Sequence, residues 1–311
     1  MINSLYGKSI LNLTELTKEE FLAIIELAVA IKTNPEAYRG VLAGKILAMI
    51  FEKNSTRTRV SFEAGIIQLG GQAIVLDSKS TQMGRGEPIK DTANVLSSYV
   101  DAIMIRTYSD QMVEELAKEA SIPIINGLTD DHHPCQILAD FQTIYEQKGK
   151  LEGLKLAYIG DGNNMAHSFL LGGSLVGMDI SIVTPKGYEP RSEFVEQAQK
   201  NAEISGSKIE ILNDPTQAVK NADVLVTDVW ASMGDEAEQK EREKNFKSFQ
   251  VNNRLAVQAK KDYLFLHCLP THRGEEVTAD IIDGTHSAIY QEAANRLHAQ
   301  KALLVKVMAN L

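Results

Sequence analysis

Short apolar runs of strand length alternate along the chain with longer segments that have room for a helix. Such alternation predicts parallel βαβ units, and the layout occurs twice. We therefore expect an α/β protein of two domains, each a mostly parallel sheet flanked by helices. The predicted strands are residues 46–51, 73–76, 102–105 and 122–125, followed by residues 156–159, 180–183, 209–212, 224–226 and 264–266.

Helical spacing is clear near both ends of the chain. Residues 17–32 begin with Thr17 and Glu20, the pair of residues that forms a capping box. Residues 293–308 also carry apolar side chains at helical spacing. This last helix can stay beside its neighbours in sequence or cross back to the first domain, and the pattern leaves both arrangements open.

The boundary between the domains is predicted to follow a helix in the middle of the chain. Pro134 stands where a proline is tolerated in a first helical turn, and residues 136–147 then have an amphipathic pattern that ends near Gly149. The predicted domains are therefore residues 1–148 and residues 149–292.

The composition excludes several classes of function. The 311 residues are 44% hydrophobic, so the chain can form a substantial core. The formal net charge of −9 argues against a general nucleic-acid binder and leaves room only for a local basic pocket. No apolar run approaches the roughly 20 residues needed to span a bilayer, and the first residues lack a signal-peptide pattern. We expect a cytoplasmic protein with neither nucleic-acid nor membrane partners.

The cysteines and histidines do not predict a metal site. Cys135 and Cys268 are too few for a disulfide framework and lack the spacing of a CxxC site. The histidines, including His167, His272 and His298, show no metal-ligand arrangement. We therefore expect reduced thiols, no metal and no cofactor.

Residues 54–59, NSTRTR, place hydroxyl groups and arginines between a predicted strand and a predicted helix. The N–H groups at a helix start favour an anion, and the forked guanidinium group matches phosphate oxygens. The alternative is that Ser55 only caps the helix and the arginines form surface ion pairs. The segment predicts a phosphate-binding turn.

Residues 160–167, GDGNNMAH, follow a predicted strand as a dinucleotide-binding turn would. Met165 replaces the third glycine of that motif, and no ribose-binding acid follows the next strand, so an NAD-binding oxidoreductase is only a remote alternative. Asn163 and Asn164 offer amide groups that can bind a polar small molecule or cap a helix. The sequence leaves these two roles open.

Three more polar groups adjoin predicted strands or helices. Asp228 directly follows a strand, where open α/β sheets bind ligands, and its carboxylate suits a cationic substrate. Considered without the other motifs, it is as well explained as a helix cap. Cys268 follows another strand; beside Asp228 it can contact a substrate amine, but a lone cysteine is more often an inert side chain. His133 precedes a helix, where it can donate to a carbonyl oxygen or serve structure only.

Taken in order, FEKNSTRTRVSFE, HHPCQ, GDGNN, DVWASMG and FLHCLP resemble the transcarbamoylase family, and within it the members that use ornithine. The match covers essentially the whole chain, and STRTR with HCLP is its most specific part. The resemblance implies transfer of the carbamoyl group from carbamoyl phosphate to the δ-amine of L-ornithine. The products would be L-citrulline and phosphate, and the reaction would belong to arginine metabolism.

The resemblance also implies an architecture. The first domain would bind carbamoyl phosphate, the second would bind ornithine, and the active site would lie in the cleft between them. The final helix, about residues 293–311, would return to the first domain. The chain would form a homotrimer or a higher assembly of trimers.

The resemblance assigns site residues by their match to the family motifs. The catalytic groups would be Arg106, His133, Asp228 and Cys268. The residues around carbamoyl phosphate would be Ser55, Thr56, Arg57, Thr58, Gln82, Arg106, His133, Gln136, Cys268, Leu269 and Arg296, with Gln82 reaching a neighbouring subunit's site. Those around ornithine would be Asn164, Asp228, Ser232 and Met233. The Leu269–Pro270 bond would be cis, and Thr271 departs from the alanine common after HCLP.

Related transferases that use putrescine, N-acetylornithine or aspartate would share the phosphate-binding turn. Asp228 followed by SMG fits a substrate with an α-amino group beside its carboxylate, which favours free ornithine. An acid at this position would repel aspartate. A non-catalytic binding protein is a further alternative, because a fold alone does not determine function.

Overall fold

A computed structural model describes residues 4–78, 81–231 and 238–310. The chain divides into two compact units, Met1–Gln142 with Ala294–Leu311, and Thr143–Ala293. The division between Gln142 and Thr143 falls inside a helix, and the domain limits given above remain predictions. Both units contain a parallel sheet flanked by helices, which confirms the predicted α/β architecture.

The first unit contains a four-stranded parallel sheet in the order β2-β1-β3-β4. Its strands are β1 (Ile46–Phe51), β2 (Gln72–Asp77), β3 (Ala102–Arg106) and β4 (Ile124–Leu128). β1 and β3 are buried on both faces, as expected of parallel strands that helices cover. The fourth strand was predicted at residues 122–125, but it begins after Pro123, which has no N–H for the ladder, and continues through the buried Asn126.

Helices connect and flank these strands. The capping box predicted at Thr17 is confirmed, because its hydroxyl accepts from Glu20 N and the Glu20 carboxylate accepts from Thr17 N at 3.0 Å. The helices of this part of the chain are α1 (Lys18–Thr33), α2 (Thr56–Gln68), α3 (Ile89–Ser97), α4 (Asp110–Glu119) and α5 (Pro134–Lys148), with short 3₁₀ turns at Pro35–Tyr38 and Met83–Arg85.

The second unit contains a five-stranded parallel sheet in the order β7-β6-β5-β8-β9. The strands lie within one residue of the predicted limits, because each is a short apolar run that ends at polar residues. They are β5 (Lys155–Ile159), β6 (Asp179–Val183), β7 (Ile209–Leu212), β8 (Val224–Thr227) and β9 (Leu264–His267).

Among the helices that follow α5, α6 is almost entirely buried. It packs so closely on β6 that a Cβ atom at Gly173 would lie 2.2 Å from the side chain of Ile180. The helices are α6 (Asn164–Val176), α7 (Ser192–Ser205), α8 (Pro215–Val219), α9 (Gln239–Phe246), α10 (Asn253–Ala256), α11 (Ala279–Ile282) and α12 (Ile289–Met308), with a 3₁₀ turn at Lys247–Phe249. None of the helices in the described residues is long and apolar enough to cross a membrane.

The strand order reverses direction once in each sheet, between β1 and β3 in the first and between β5 and β8 in the second. In open parallel sheets, ligands bind beyond the carboxyl ends of the strands at such a reversal. NSTRTR follows β1 and Arg106 ends β3, while GDGNN follows β5 and Asp228 follows β8. The fold thus places the polar motifs at the expected edge of each sheet.

Candidate active site

The turn after β1 starts α2 and is anchored by Ser55. The Ser55 hydroxyl accepts a hydrogen bond from Thr58 N at 3.1 Å, so Ser55 is the N-cap of this helix. Thr58 is buried, whereas Thr56 and Arg57 are exposed. The cap uses the Thr58 N–H and leaves the earlier N–H groups of the first turn at the same end of the helix, where they favour an anion.

Arg296 of α12 reaches this turn from the far end of the chain. Its Nη2 donates to Thr58 Oγ1 at 3.2 Å, and its Nη1 donates to Gln136 Oε1 at 2.5 Å. Gln136 Nε2 in turn donates to Asp140 Oδ1 at 2.7 Å. All four side chains are buried. The Asp140 carboxylate therefore determines which end of the Gln136 amide faces the guanidinium group.

Arg106 and His133 complete the cluster in the first unit. Arg106 is 7% exposed, and its backbone oxygen accepts from Glu52 N at 2.9 Å, which holds the end of β3 against the end of β1. Burial lowers the pKa of His133 well below its usual value, and the positive charges of Arg296, Arg106 and Arg57 lower it further. His133 is therefore a neutral imidazole among three guanidinium groups, an environment that favours a bound anion.

Two other residues of the first unit, Gln82 and Cys135, make none of the contacts described above. Gln82 is an exposed residue immediately before the turn Met83–Arg85. Cys135 is buried, and its thiol donates to Asn126 O at 3.4 Å. Burial raises the pKa of Cys135 to about 12, although the Arg296 charge opposes this shift. Cys135 is therefore a protonated structural thiol rather than a nucleophile.

In the second unit, Asp228 and Cys268 follow the neighbouring strands β8 and β9. The Cys268 thiol donates to Asp228 Oδ1 at 3.1 Å, and Val229 N donates to the same oxygen at 2.8 Å. Asp228 is 6% exposed. A nearly buried carboxylate beside a thiol can accept and orient a cationic amine.

Asn163, which the sequence left open as a ligand or a cap, has a direct contact with Asp228. It is the N-cap of α6, where its Oδ1 accepts from Met165 N at 2.9 Å and Ala166 N at 3.4 Å. Its Nδ2 donates to Asp228 Oδ2 at 3.2 Å. Asn164 is the first residue of α6. Ser232 and Met233, the remaining ornithine-binding candidates, lie outside the described residues.

The HCLP segment contains a second set of polar contacts, centred on the buried side chains of His267 and Glu276. His267 Nδ1 accepts from Leu269 N at 2.9 Å, and its Nε2 lies 3.2 Å from Glu276 Oε1. Glu276 Oε1 also accepts from Thr271 and from His272 N, each at 2.7 Å. Burial raises the pKa of Glu276, but these hydrogen bonds outweigh it and lower the pKa overall. The Leu269–Pro270 bond is cis, as predicted.

Within the part of the chain that the structure describes, two groups of side chains have the separations of a metal site. Ligand atoms of Asp228, His267 and Cys268 lie within 4.8 Å of one another, as do those of His272, Glu275 and Glu276. Both ring nitrogens of His267 and one oxygen of Glu276 already take part in the hydrogen bonds described above. These donor sets fit a hydrogen-bonded network better than a metal centre.

Several contributing residues were not identified from the sequence. Asp140 lies four residues after Gln136 on one helix, a spacing that puts side chains on the same face and could have revealed it. Tyr158, which donates to Asn163 Oδ1 at 3.2 Å, lies in an apolar strand and gave no such signal. Glu276 lies beyond the FLHCLP motif, and its contact with His267 depends on the path of the loop between them.

Family models match both parts of the chain. Residues 8–146 match the aspartate/ornithine carbamoyltransferase carbamoyl-P binding domain, and residues 152–307 match the Asp/Orn binding domain of the same family.

Individual relatives match over nearly the full length. Ornithine carbamoyltransferase of Listeria innocua is 63% identical over 303 residues, which cover 97% of this chain and 96% of the relative. That of Anoxybacillus flavithermus is 60% identical over 307 residues, 98% of each chain. The solved structure of ornithine carbamoyltransferase from Pyrococcus furiosus superposes with a TM-score of 0.95 at 54% identity, covering 98% of each chain.

Proposed function

The chain belongs to the aspartate/ornithine carbamoyltransferase family, and from this premise we propose that it transfers the carbamoyl group of carbamoyl phosphate to the δ-amine of L-ornithine, giving L-citrulline and phosphate. Ornithine is favoured over aspartate by one observation, the contact of the Cys268 thiol with the nearly buried Asp228 carboxylate. A carboxylate there attracts a cationic amine and repels an acidic substrate.

The guanidinium groups of the first unit are proposed to bind carbamoyl phosphate. Arg57, Arg106 and Arg296 would pair with the phosphate, because forked donors match its oxygens. As negative charge develops on the carbonyl oxygen, Arg106, His133 and Thr58 would donate to it. A critical donor of this kind typically supplies about 3 to 4 kcal/mol. Ser55, Thr56, Gln82, Gln136, Cys268 and Leu269 are proposed to complete this half of the site.

Neutral His133 suits the role of a donor to the carbonyl oxygen. Its lowered pKa keeps one ring N–H and no charge at pH 7, so it can polarise the carbonyl without repelling the neighbouring arginines. The imidazole would remain neutral through the reaction because both burial and the three positive charges oppose protonation. The arginines, rather than His133, would then stabilise the departing phosphate.

The second unit is proposed to prepare the attacking amine. An alkylammonium has a pKa near 10.4, so presenting the free amine at pH 7 costs about 4 to 5 kcal/mol. We propose that Asp228 and Cys268 orient the δ-amine and assist loss of its proton, while exclusion of water favours the neutral form. Asn164, Ser232 and Met233 would hold the remaining polar groups of ornithine.

The proposed function predicts citrulline formation from ornithine. Carbamoyl phosphate would be supplied in parallel with ornithine, putrescine, N-acetylornithine or aspartate at equal concentration, and product would be measured for each. We expect turnover with ornithine and at most trace turnover with the others. Asp228 repels aspartate, N-acetylornithine lacks a free α-amino group, and putrescine lacks the whole α-amino acid group. Turnover with another amine alone would overturn the substrate assignment, and none with any would overturn the proposed transfer.

We also propose that the chain forms a homotrimer, or a higher assembly of trimers, and works in the cytoplasm in arginine metabolism. Val60 and Ile67, seven residues apart on α2, are each 58% exposed, and Ile74 on the edge strand β2 is 46% exposed. Exposed apolar side chains on neighbouring elements are typical of a protein interface.

The assembly has its own test. Sedimentation of the wild-type protein is expected to give about three times the 34.3 kDa of one chain, or a multiple of that value. Val60→Asp with Ile67→Asp should shift the protein to the monomer, because a charge buried in an apolar interface is unfavourable. Ile204→Asp, at a residue 91% exposed on α7, should leave the assembly unchanged. A monomeric wild-type protein would contradict the proposal.

A further inference from the structure

The carboxylate of Asp228 is held at both of its oxygens. Oδ1 accepts from Val229 N at 2.8 Å and from the Cys268 thiol at 3.1 Å. Oδ2 accepts from Asn163 Nδ2 at 3.2 Å. Rotation of the carboxylate would break these contacts, so its plane is held in one orientation.

The orientation of the Asn163 amide is determined by the start of α6. Met165 N and Ala166 N are donors only, so they require the amide oxygen on their side. Turning the amide would direct its NH₂ group at these N–H groups and its oxygen at the carboxylate of Asp228. Both exchanges would be repulsive. The helix cap therefore forces the NH₂ group of Asn163 toward Asp228.

Tyr158 supplies a third donor to the amide oxygen. Its side chain is fully buried in β5, and its hydroxyl lies 3.2 Å from Asn163 Oδ1. Burial raises the pKa of the Tyr158 phenol well above its usual value, and the neighbouring Asp228 and Asp161 carboxylates raise it further. The phenol therefore stays protonated and continues to donate at neutral pH.

We propose that Asn163 is a positioning residue for the transfer reaction: fixed by the cap of α6 and by Tyr158, it holds Oδ2 of Asp228 in the orientation that receives the amine of ornithine. The inference rests on the proposed function, because it takes Asp228 to be the group that binds the amine. Asn163 acts through Asp228, because its amide donates to the oxygen that would receive the amine.

Asn163→Asp tests this directly. Aspartate caps a helix as well as asparagine does, so α6 keeps its start while the NH₂ group facing Asp228 becomes an oxygen. Two carboxylates this close cannot both be ionised and must share a proton. We expect the KM for ornithine to rise about 10- to 100-fold, as loss of a hydrogen bond to a charged group predicts, with the KM for carbamoyl phosphate within about twofold of wild type.

The pH profile separates a positioning role from a structural one. The titratable and charged groups near Asp228 include Cys268, His267, Tyr158 and Asp161, and Asp161 is paired with Arg242 at 2.7 Å. None of these is altered in Asn163→Asp. Because the new carboxylate raises the pKa of the pair, the acid limb of kcat/KM for ornithine should move to higher pH. A loss of stability alone would not shift this limb.

Two further variants serve as comparisons. Asn163→Ser retains a capping oxygen but has neither the amide donor nor a new charge, so it should raise the KM for ornithine and move the acid limb less than Asn163→Asp does. Asn252→Asp makes the same chemical change at the N-cap of α10, where the side chain accepts from Leu255 N at 3.1 Å, and should behave as wild type.

Wild-type KM for ornithine and a wild-type pH profile in both folded Asn163 variants would overturn the inference. If Asn163→Asp fails to fold by circular dichroism, the KM of Asn163→Ser decides alone. A wild-type enzyme that forms no citrulline from ornithine would instead overturn the proposed function. The two failures are therefore distinguishable.

Discussion

Arg106→Ala is expected to lower the turnover number about 100- to 1,000-fold, the usual effect of removing a critical donor to a developing oxyanion. Arg106 ends β3 beside the end of β1, is 7% exposed, and acts electrostatically on His133. Steady-state kinetics with saturating ornithine and varied carbamoyl phosphate would measure the loss. The fold should survive, because removing one of three neighbouring positive charges reduces their mutual repulsion.

Two substitutions calibrate this result. Arg106→Lys keeps the charge but loses the forked donors, so we expect its turnover to fall between those of wild type and Arg106→Ala. Arg39→Ala removes an arginine whose side chain is 75% exposed and paired with Glu36, and should leave turnover unchanged. If Arg106→Ala is folded and turns over within about twofold of wild type, Arg106 does not stabilise the reacting carbonyl.

Asp228→Asn is expected to lower kcat/KM for ornithine about 100- to 1,000-fold, the range found when one partner of a buried charge pair is removed. The substitution preserves shape but removes the negative charge. An amide also cannot accept at both ends, so it loses either the pair of donors at Oδ1, Val229 N and Cys268, or the Asn163 donor at Oδ2. The KM for carbamoyl phosphate should change little, and initial rates with each substrate varied in turn would show this.

The matched control is Asp214→Asn, which neutralises an acid in the same unit that caps α8 by accepting from Thr216 N at 2.9 Å. Because asparagine caps a helix as well as aspartate does, this variant should retain wild-type kinetics. An Asp228→Asn enzyme with unchanged kcat/KM for ornithine would remove Asp228 from the amine site. Together, the Arg106 and Asp228 variants test the proposed carbamoyl phosphate and ornithine sites through different substrates.

The regular parts of the fold were predictable because the signal is local. β1 lies at the predicted residues, since it is a short apolar run bounded by polar residues. β4 was displaced because the strand begins only after Pro123 and continues through Asn126, which interrupts the apolar pattern without ending the strand. A strand buried on both faces tolerates a polar residue whose donor group finds a partner, as Asn126 Nδ2 does in Leu11 O at 2.8 Å.

The sequence predicts which residues belong to the candidate site, but it does not predict the contacts between them. A phosphate-binding turn at NSTRTR and a ligand-binding acid at Asp228 follow from residue type and from position at the end of a strand. The contact of Arg296 with Thr58 joins residues 238 positions apart, and only the motif resemblance singled out Arg296. The contact of Tyr158 with Asn163 could not be predicted, because Tyr158 lies in an apolar strand and no sequence pattern shows where its hydroxyl points.

The sequence by itself determined the alternation of strands and helices, the parallel sheets and the position of each polar motif at a strand end, because these depend on periodicity and on neighbouring residues. Only the tertiary structure decided that Asn163 donates to Oδ2 of Asp228 while Cys268 donates to Oδ1. The reason is physical: the three residues come from the ends of β5, β8 and β9. Their separation depends on strand order and helix packing, which local sequence patterns do not specify.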